Sequence, residues 1–132
     1  DATDTQIKQS AARYEGGTYN MAGVAGLEAA LRLMLQFGVS EISTRLLEIT
    51  DRLCRRLESE CNATIVSQRE GNHRSGIVAF DLPDRNPGVI RRRAADTGVV
   101  VNIRGGHLRA SPHAYTGDED IDRLLTALQS DA

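Results

Sequence analysis

Residues 99–116 constrain the fold more than any other part of the chain. They hold a β-branched run, Val99-Val100-Val101-Asn102-Ile103-Arg104, then a Gly105-Gly106 pair, a short alternating segment, His107-Leu108-Arg109-Ala110-Ser111, and Pro112 before a helix start. β-Branched side chains fit a pleated surface, and a Gly-Gly loop supplies the positive φ angles of a tight hairpin. The spacing predicts strands over residues 99–103 and 107–111 joined by that turn. Arg109 is then mounted on a strand, which fixes its direction. Its planar fork can meet both oxygens of a carboxylate at once, which makes Arg109 the candidate carboxylate-binding residue. The alternative is an arginine that solvates an outer sheet face or pairs with a nearby aspartate.

Helical periodicity marks four further segments. In residues 21–37, Val24, Leu27, Leu31, Met34 and Leu35 recur at helical intervals, with Asn20 as N-cap and Gly38 as terminator. Its start is rich in small residues, Ala22, Gly23, Ala25 and Gly26, so close coverage on several sides is expected. Residues 40–60 carry a stripe of Ile42, Leu46, Ile49, Leu53 and Leu57, broadened by Leu47 and Cys54, opposite a charged face. Strands are expected over residues 63–66 and 76–82. Asn86-Pro87 opens a third helix, in which proline at the first turn sacrifices no hydrogen bond, and this helix runs to Thr97 and Gly98. Thr116-Gly117-Asp118-Glu119 reads as a capping box ahead of Ile121, Leu124, Leu125 and Leu128. Residues 1–13 are polar and aperiodic, and are expected to be coil. The order helix, helix, strand, strand, helix, strand, strand, helix implies an α+β two-layer sandwich: a mainly antiparallel sheet of about four strands with helices on one face. A boundary is expected near Gly38, giving segments 1–37 and 38–132.

Charge and thiol content narrow the functional classes. A net charge of −2 on 132 residues gives no reason to expect nucleic acid as a partner. No stretch approaches the roughly 20 apolar residues of a membrane span, and residues 1–5 lack the features of a signal peptide, so a cytoplasmic protein with no membrane partner is expected. Cys54 and Cys61 lie seven residues apart in one helical pattern, about 10 Å along the axis, too far for a disulfide. His73, His107 and His113 show no ligand spacing, so no metal site is expected. Lys8 is the one lysine in the chain.

Taken together, Glu15-Gly16-Gly17-Thr18-Tyr19-Asn20 with its small-residue helix, Gly76-Ile77-Val78-Ala79-Phe80, residues 98–106, Leu108-Arg109-Ala110-Ser111-Pro112-His113 and Asp118-Glu119-Asp120-Ile121-Asp122-Arg123-Leu124 resemble the C-terminal part of a class V aminotransferase-family enzyme. This pyridoxal-phosphate group includes cysteine desulfurases, selenocysteine lyases, kynureninase and isopenicillin N epimerase. The resemblance runs from about Arg13 to Leu128. It implies that residues 38–132 are the small C-terminal domain, and that residues 1–37 are the tail of the large domain, disordered or self-associating when alone. It implies a homodimer acting on an amino acid by transamination, β-elimination or desulfuration, or epimerisation. Arg109 matches the arginine that binds the substrate α-carboxylate. Gly17-Thr18 matches the loop that reaches the cofactor phosphate of the other subunit, where glycine permits close backbone approach and a helix N-terminus adds a favourable dipole.

Departures from the family pattern matter equally. The chemistry needs a Schiff-base lysine and an acid for the pyridinium nitrogen, both of which the family keeps in its large domain. Lys8 lies outside any matching motif. The chain is therefore expected to be an inactive fragment with no catalytic residue of its own and no measurable affinity for the cofactor. Desulfurases of the family also carry a catalytic cysteine between the Arg-x-Gly-His stretch and the later arginine, whereas Gly106-His107-Leu108-Arg109 runs through without insertion. Neither Cys54 nor Cys61 can take that role. His107 and His113 either line the site mouth or make local hydrogen bonds, and Arg104 competes with Arg109 for the carboxylate. Two other classes remain: a free-standing α+β module that binds a small effector, and an interaction domain that docks through its apolar first helix.

Overall fold

The computed structural model describes residues 7–129. The chain divides into two compact units, Asp1–Phe37 and Gly38–Ala132.

In the first unit, the expectation of coil over residues 1–13 falls partly on residues 1–6, which lie outside the described residues. Ala11–Tyr14 closes a short 3-10 turn, with the Glu15 N–H donating to the Ala12 carbonyl. Helix α1 is Met21–Phe37. Asn20 caps it as expected, its Oδ1 accepting the Gly23 N–H at 2.9 Å. A β-carbon at Gly23 would stand 2.5 Å from the Asn20 amide nitrogen, so a larger residue there would shift that exposed capping side chain. Every side chain of α1 is exposed, including Val24, Leu27, Leu31, Met34, Leu35 and Phe37.

The second unit begins at Gly38, whose φ of 88° sets the chain for helix α2, Val39–Cys61. Ile49, Leu53, Cys54 and Leu57 of its predicted stripe are buried. Asn62 closes the helix in the left-handed conformation at φ 52°. Strand β1, Thr64–Ile65, pairs antiparallel with β2, Val78–Asp81. Beyond it, the N–H groups of Val66 and Ser67 both donate to the Ala79 carbonyl, a bulge that ends the pairing. Helix α3, Pro87–Asp96, starts where Asn86 Oδ1 accepts from the N–H groups of Gly88 and Val89, and proline fills the first turn. Strands β3, Asn102–Arg104, and β4, His107–Ala110, form the predicted hairpin. Gly105 and Gly106 turn it at φ 60° and 91°, values that an L side chain rarely adopts. Helix α4 is Asp118–Gln129.

The four strands lie in the order β1-β2-β4-β3, with every neighbouring pair antiparallel. Strand β4 inserts between β2 and β3, so α3 is the crossover that carries the chain past it. Helices α2, α3 and α4 cover one face, where Phe80, Leu108, Ile90, Leu53, Leu125 and Leu128 form the centre of the core. The fold is therefore the α+β sandwich expected from the element order.

Two local expectations are corrected. The strand expected over residues 99–103 is only Asn102–Arg104. The Val99 N–H turns back to the Ala94 carbonyl at 2.8 Å and closes α3, while the strand opposite ends at Ala110 before Pro112, which has no N–H to offer. The capping box expected at Thr116 falls one residue later. Thr116 Oγ1 accepts from the His113 N–H, whereas Asp120 Oδ2 accepts from the Gly117 N–H and the Gly117 carbonyl takes the Ile121 N–H. Thr116 has a loop to close, so the helix start passes to Gly117 and Asp120.

Candidate functional site

The alternation of β4 decides where its polar side chains go. Leu108 and Ala110 are buried in the core beneath the helices, so His107 and Arg109 stand on the opposite face, which no helix of this unit covers. Register fixes their neighbours. Arg109 lies opposite Ala79 on β2 and Asn102 on β3. His107 lies opposite Arg104 on β3, and the next step along the β2–β4 ladder sets it across from Asp81.

Arg109 is half-buried, and its Nε is covered by protein without a hydrogen-bond acceptor. Its guanidinium makes no hydrogen bond or ion pair among the described residues. Ala79 directly across offers no bulk that would lift it from the sheet. A covered but unpaired guanidinium is costly unless something satisfies it. Arg104 shares this face and is likewise unpaired among the described residues, but it is exposed on the edge strand. Of the two arginines weighed from the sequence, Arg109 is thus the covered one.

His107 does make a local bond: its Nδ1 lies 2.9 and 2.8 Å from the two oxygens of Asp81. A carboxylate only accepts, so Nδ1 carries the hydrogen and Nε2 has no partner among the described residues. Sequence reasoning named His107 but not Asp81, because a cross-strand pair 26 residues apart is invisible until the register is known. His113 lies elsewhere, stacked on Tyr115 with ring centroids 4.2 Å apart, and His73 is exposed in a 3-10 turn.

Neither thiol approaches this face. Cys54 belongs to the core on the helix side of the sheet, and Cys61 packs against that core from the end of α2. Burial pushes both thiols above their ordinary pKa, which leaves them protonated and poorly nucleophilic. The direct Gly105-Gly106 turn leaves no inserted loop to bring a thiol near Arg109. No group of three or more histidine, cysteine or acidic residues that could hold a metal occurs among the described residues.

A cavity of about 260 Å³ lies at the other end of the hairpin, lined by Val101, Ala110, Tyr115, Ile121 and Leu124 among others, and Arg109 is not part of it. Its walls are mainly apolar side chains, with Asp120 and Arg123 as the charged groups among them. A separate polar network braces the loop between β1 and β2: Arg69 donates to Thr50 Oγ1 at 2.7 Å, to Asp51 at 2.5 Å and to the Ser75 carbonyl at 2.8 Å, while Arg74 donates to Asp51 at 3.0 Å.

Gly17 and Thr18 lie in the first unit, just before α1. Both are exposed, Gly17 with φ 128°, a conformation open to glycine alone at little strain. Beyond its chain neighbours, nothing stands within 4 Å of the position a Gly17 β-carbon would take. Lys8 is exposed in coil before the 3-10 turn.

Comparison with known proteins places the chain in a family. The aminotransferase class-V family model matches residues 1–124, and the chain belongs to that family. A cysteine desulfurase from Escherichia coli O8 is 30% identical, covering 89% of this chain and 31% of its own length. A probable cysteine desulfurase from Halalkalibacterium halodurans is 28% identical over 96% of this chain and 34% of its own. The chain thus spans about a third of the length of these relatives. Among solved structures, the apo cysteine desulfurase from Thermococcus onnurineus shares the fold with a TM-score of 0.79 at 23% identity, covering 94% of this chain and 34% of that one. The cysteine desulfurase CsdA from Escherichia coli shares it at 0.75 and 22%, covering 97% and 35%.

Proposed function

We propose that residues 38–132 are the small domain of a pyridoxal-phosphate enzyme that acts on an amino acid, with Arg109 binding the substrate α-carboxylate. The observation that carries this reading is the Arg109 guanidinium: covered at Nε, unpaired, and aimed away from the helices. A bidentate carboxylate would satisfy it and fix the orientation of the substrate Cα, the positioning part of catalysis. The family supports the substrate class.

Residues 1–37 are, in this reading, the tail of the large domain. The Gly17 N–H and the Thr18 hydroxyl would hold the phosphate of the cofactor bound by the other subunit of a homodimer. When bound, pyridoxal phosphate acts as an electron sink that labilises bonds at the substrate Cα. The residues of this chain do not complete its site, since Lys8, the one lysine, is exposed in coil. The chain alone is inactive, and the enzyme works in the cytoplasm. Because both cysteines lie on or beside the core under the helices, this domain provides no thiol to the substrate side, and the reaction is a transamination, elimination or epimerisation without a persulfide on these residues.

Steady-state kinetics of the full-length enzyme test the assignment. Arg109→Gln should raise KM for the amino acid by roughly 10- to 100-fold, the loss of a charge-assisted bidentate pair, with the cofactor absorbance band unchanged. An unchanged KM would refute the role of Arg109.

A further inference from the structure

The open face carries a second guanidinium that the α-carboxylate alone does not use. Arg56 pairs with Glu60 and Asp122, and Arg69 and Arg74 with Asp51, whereas Arg55, Arg91, Arg92 and Arg123 form no ion pair among the described residues and lie away from the open face of the hairpin. Arg104 and Arg109 have no such partner among the described residues. The acid that shares their two cross-strand rows, Asp81, has both oxygens on His107. Since Arg104 is directly opposite His107 and Asn102 directly opposite Arg109, Arg104 and Arg109 are diagonal neighbours on one face, with about 7–8 Å between their backbones. The hydrogen bond to His107 leaves the Asp81 charge in place, but two arginines stand against that one acid on this face, and an anion with two separated acidic groups can meet both guanidinium groups where an anion with one meets a single one.

Resting on the proposed role of Arg109, we infer that Arg104 is a second anion-binding residue of the same site, and that its substrate is an amino acid bearing a further acidic group on its side chain. Arg109 takes the α-carboxylate and Arg104 the distal acid. The two-residue hairpin turn holds the arginines in fixed register, so their separation is a property of the ladder rather than of a loop. Asp81 makes its bond to His107 and no ion pair with Arg104 among the described residues.

Arginine Nε–H signals of the 15N-labelled 132-residue chain test this directly, with sodium acetate and sodium succinate as probes at constant ionic strength. Succinate should move the signals of both Arg104 and Arg109 and saturate Arg109 at a concentration roughly three- to tenfold below that of acetate. Arg104→Gln should bring succinate back to the acetate value while Arg109 still responds to both, with the backbone amide spectrum confirming an intact fold. Equal saturation by the two anions, or a motionless Arg104 signal, would overturn the two-point site and leave Arg109 standing. An Arg109 signal that responds to neither anion would overturn its carboxylate role and this inference together.

Discussion

Asp81 grips His107 with both carboxylate oxygens on Nδ1, at 2.9 and 2.8 Å across the β2–β4 ladder. The pair lies on the face that also carries Arg104 and Arg109. The pair is about two-fifths exposed on each side, so it sits in a well-solvated setting. Asp81→Ala should cost about 0.2–1 kcal/mol of stability, the range of a cross-strand polar pair. Urea unfolding of the two proteins measures it. A nitrogen-15 spectrum of the ring should show hydrogen on Nδ1 in the parent, with that preference lost in the variant.

The two faces of β4 make opposite predictions for adjacent residues. Leu108 is fully buried in the core, and Leu108→Ala should destabilise by about 2–5 kcal/mol. Arg109→Gln, one residue on but facing away from the helices, should cost less than about 1 kcal/mol, because it removes no core packing and breaks no ion pair. Thermal or urea unfolding of both variants checks the contrast. Similar losses would mean that the strand does not divide its residues between core and open face.

Acid sensitivity is set in part by Asp51. Partial burial works to raise its pKa, but Arg69, through a hydrogen bond and its charge, and Arg74 together outweigh this and hold the carboxyl below its ordinary 3.8. A depressed carboxyl gives stability that is fully present above the unfolded value and is lost as pH falls through the folded one. Asp51→Asn should therefore lower stability at neutral pH and flatten its decline below about pH 4. Denaturant midpoints between pH 2 and pH 7 follow both effects.

The apolar side chains of α1 are all exposed, with Leu27 at 59% and Leu35 at 72%. Apolar surface of that extent drives association. Sedimentation equilibrium should find the 132-residue chain self-associating at high concentration, and a Leu27→Glu, Leu31→Glu double variant should be shifted toward monomer. A clean monomer in the parent at all concentrations would remove the idea.

Local signals carried much of the architecture. Asn20, Asn86-Pro87 and Gly105-Gly106 act through bonds to residues two or three positions away, and each does in the structure what its chemistry requires. Residues 99–101 misled for the opposite reason: β-branched side chains suit a strand, but Val99 is tied to Ala94 and Pro112 cannot extend the ladder opposite. The Thr116 hydroxyl had two competing uses, and the loop won. Of the candidate site, Arg109 was legible because a charged residue alternates with Leu108 and Ala110. Its company was not: the Asp81–His107 pair, the diagonal with Arg104, and the Arg69 network on Thr50, Asp51 and Ser75 all depend on register between distant segments.

The proposed role of this domain turns on what Arg109 binds. A crystal structure of the full-length enzyme with a bound amino acid or an unreactive analogue tests it most directly. The α-carboxylate should lie within hydrogen-bond distance of the Arg109 guanidinium, about 2.7–2.9 Å, on the sheet face away from α2, α3 and α4. A carboxylate held by other residues, with Arg109 still unpaired, would contradict it.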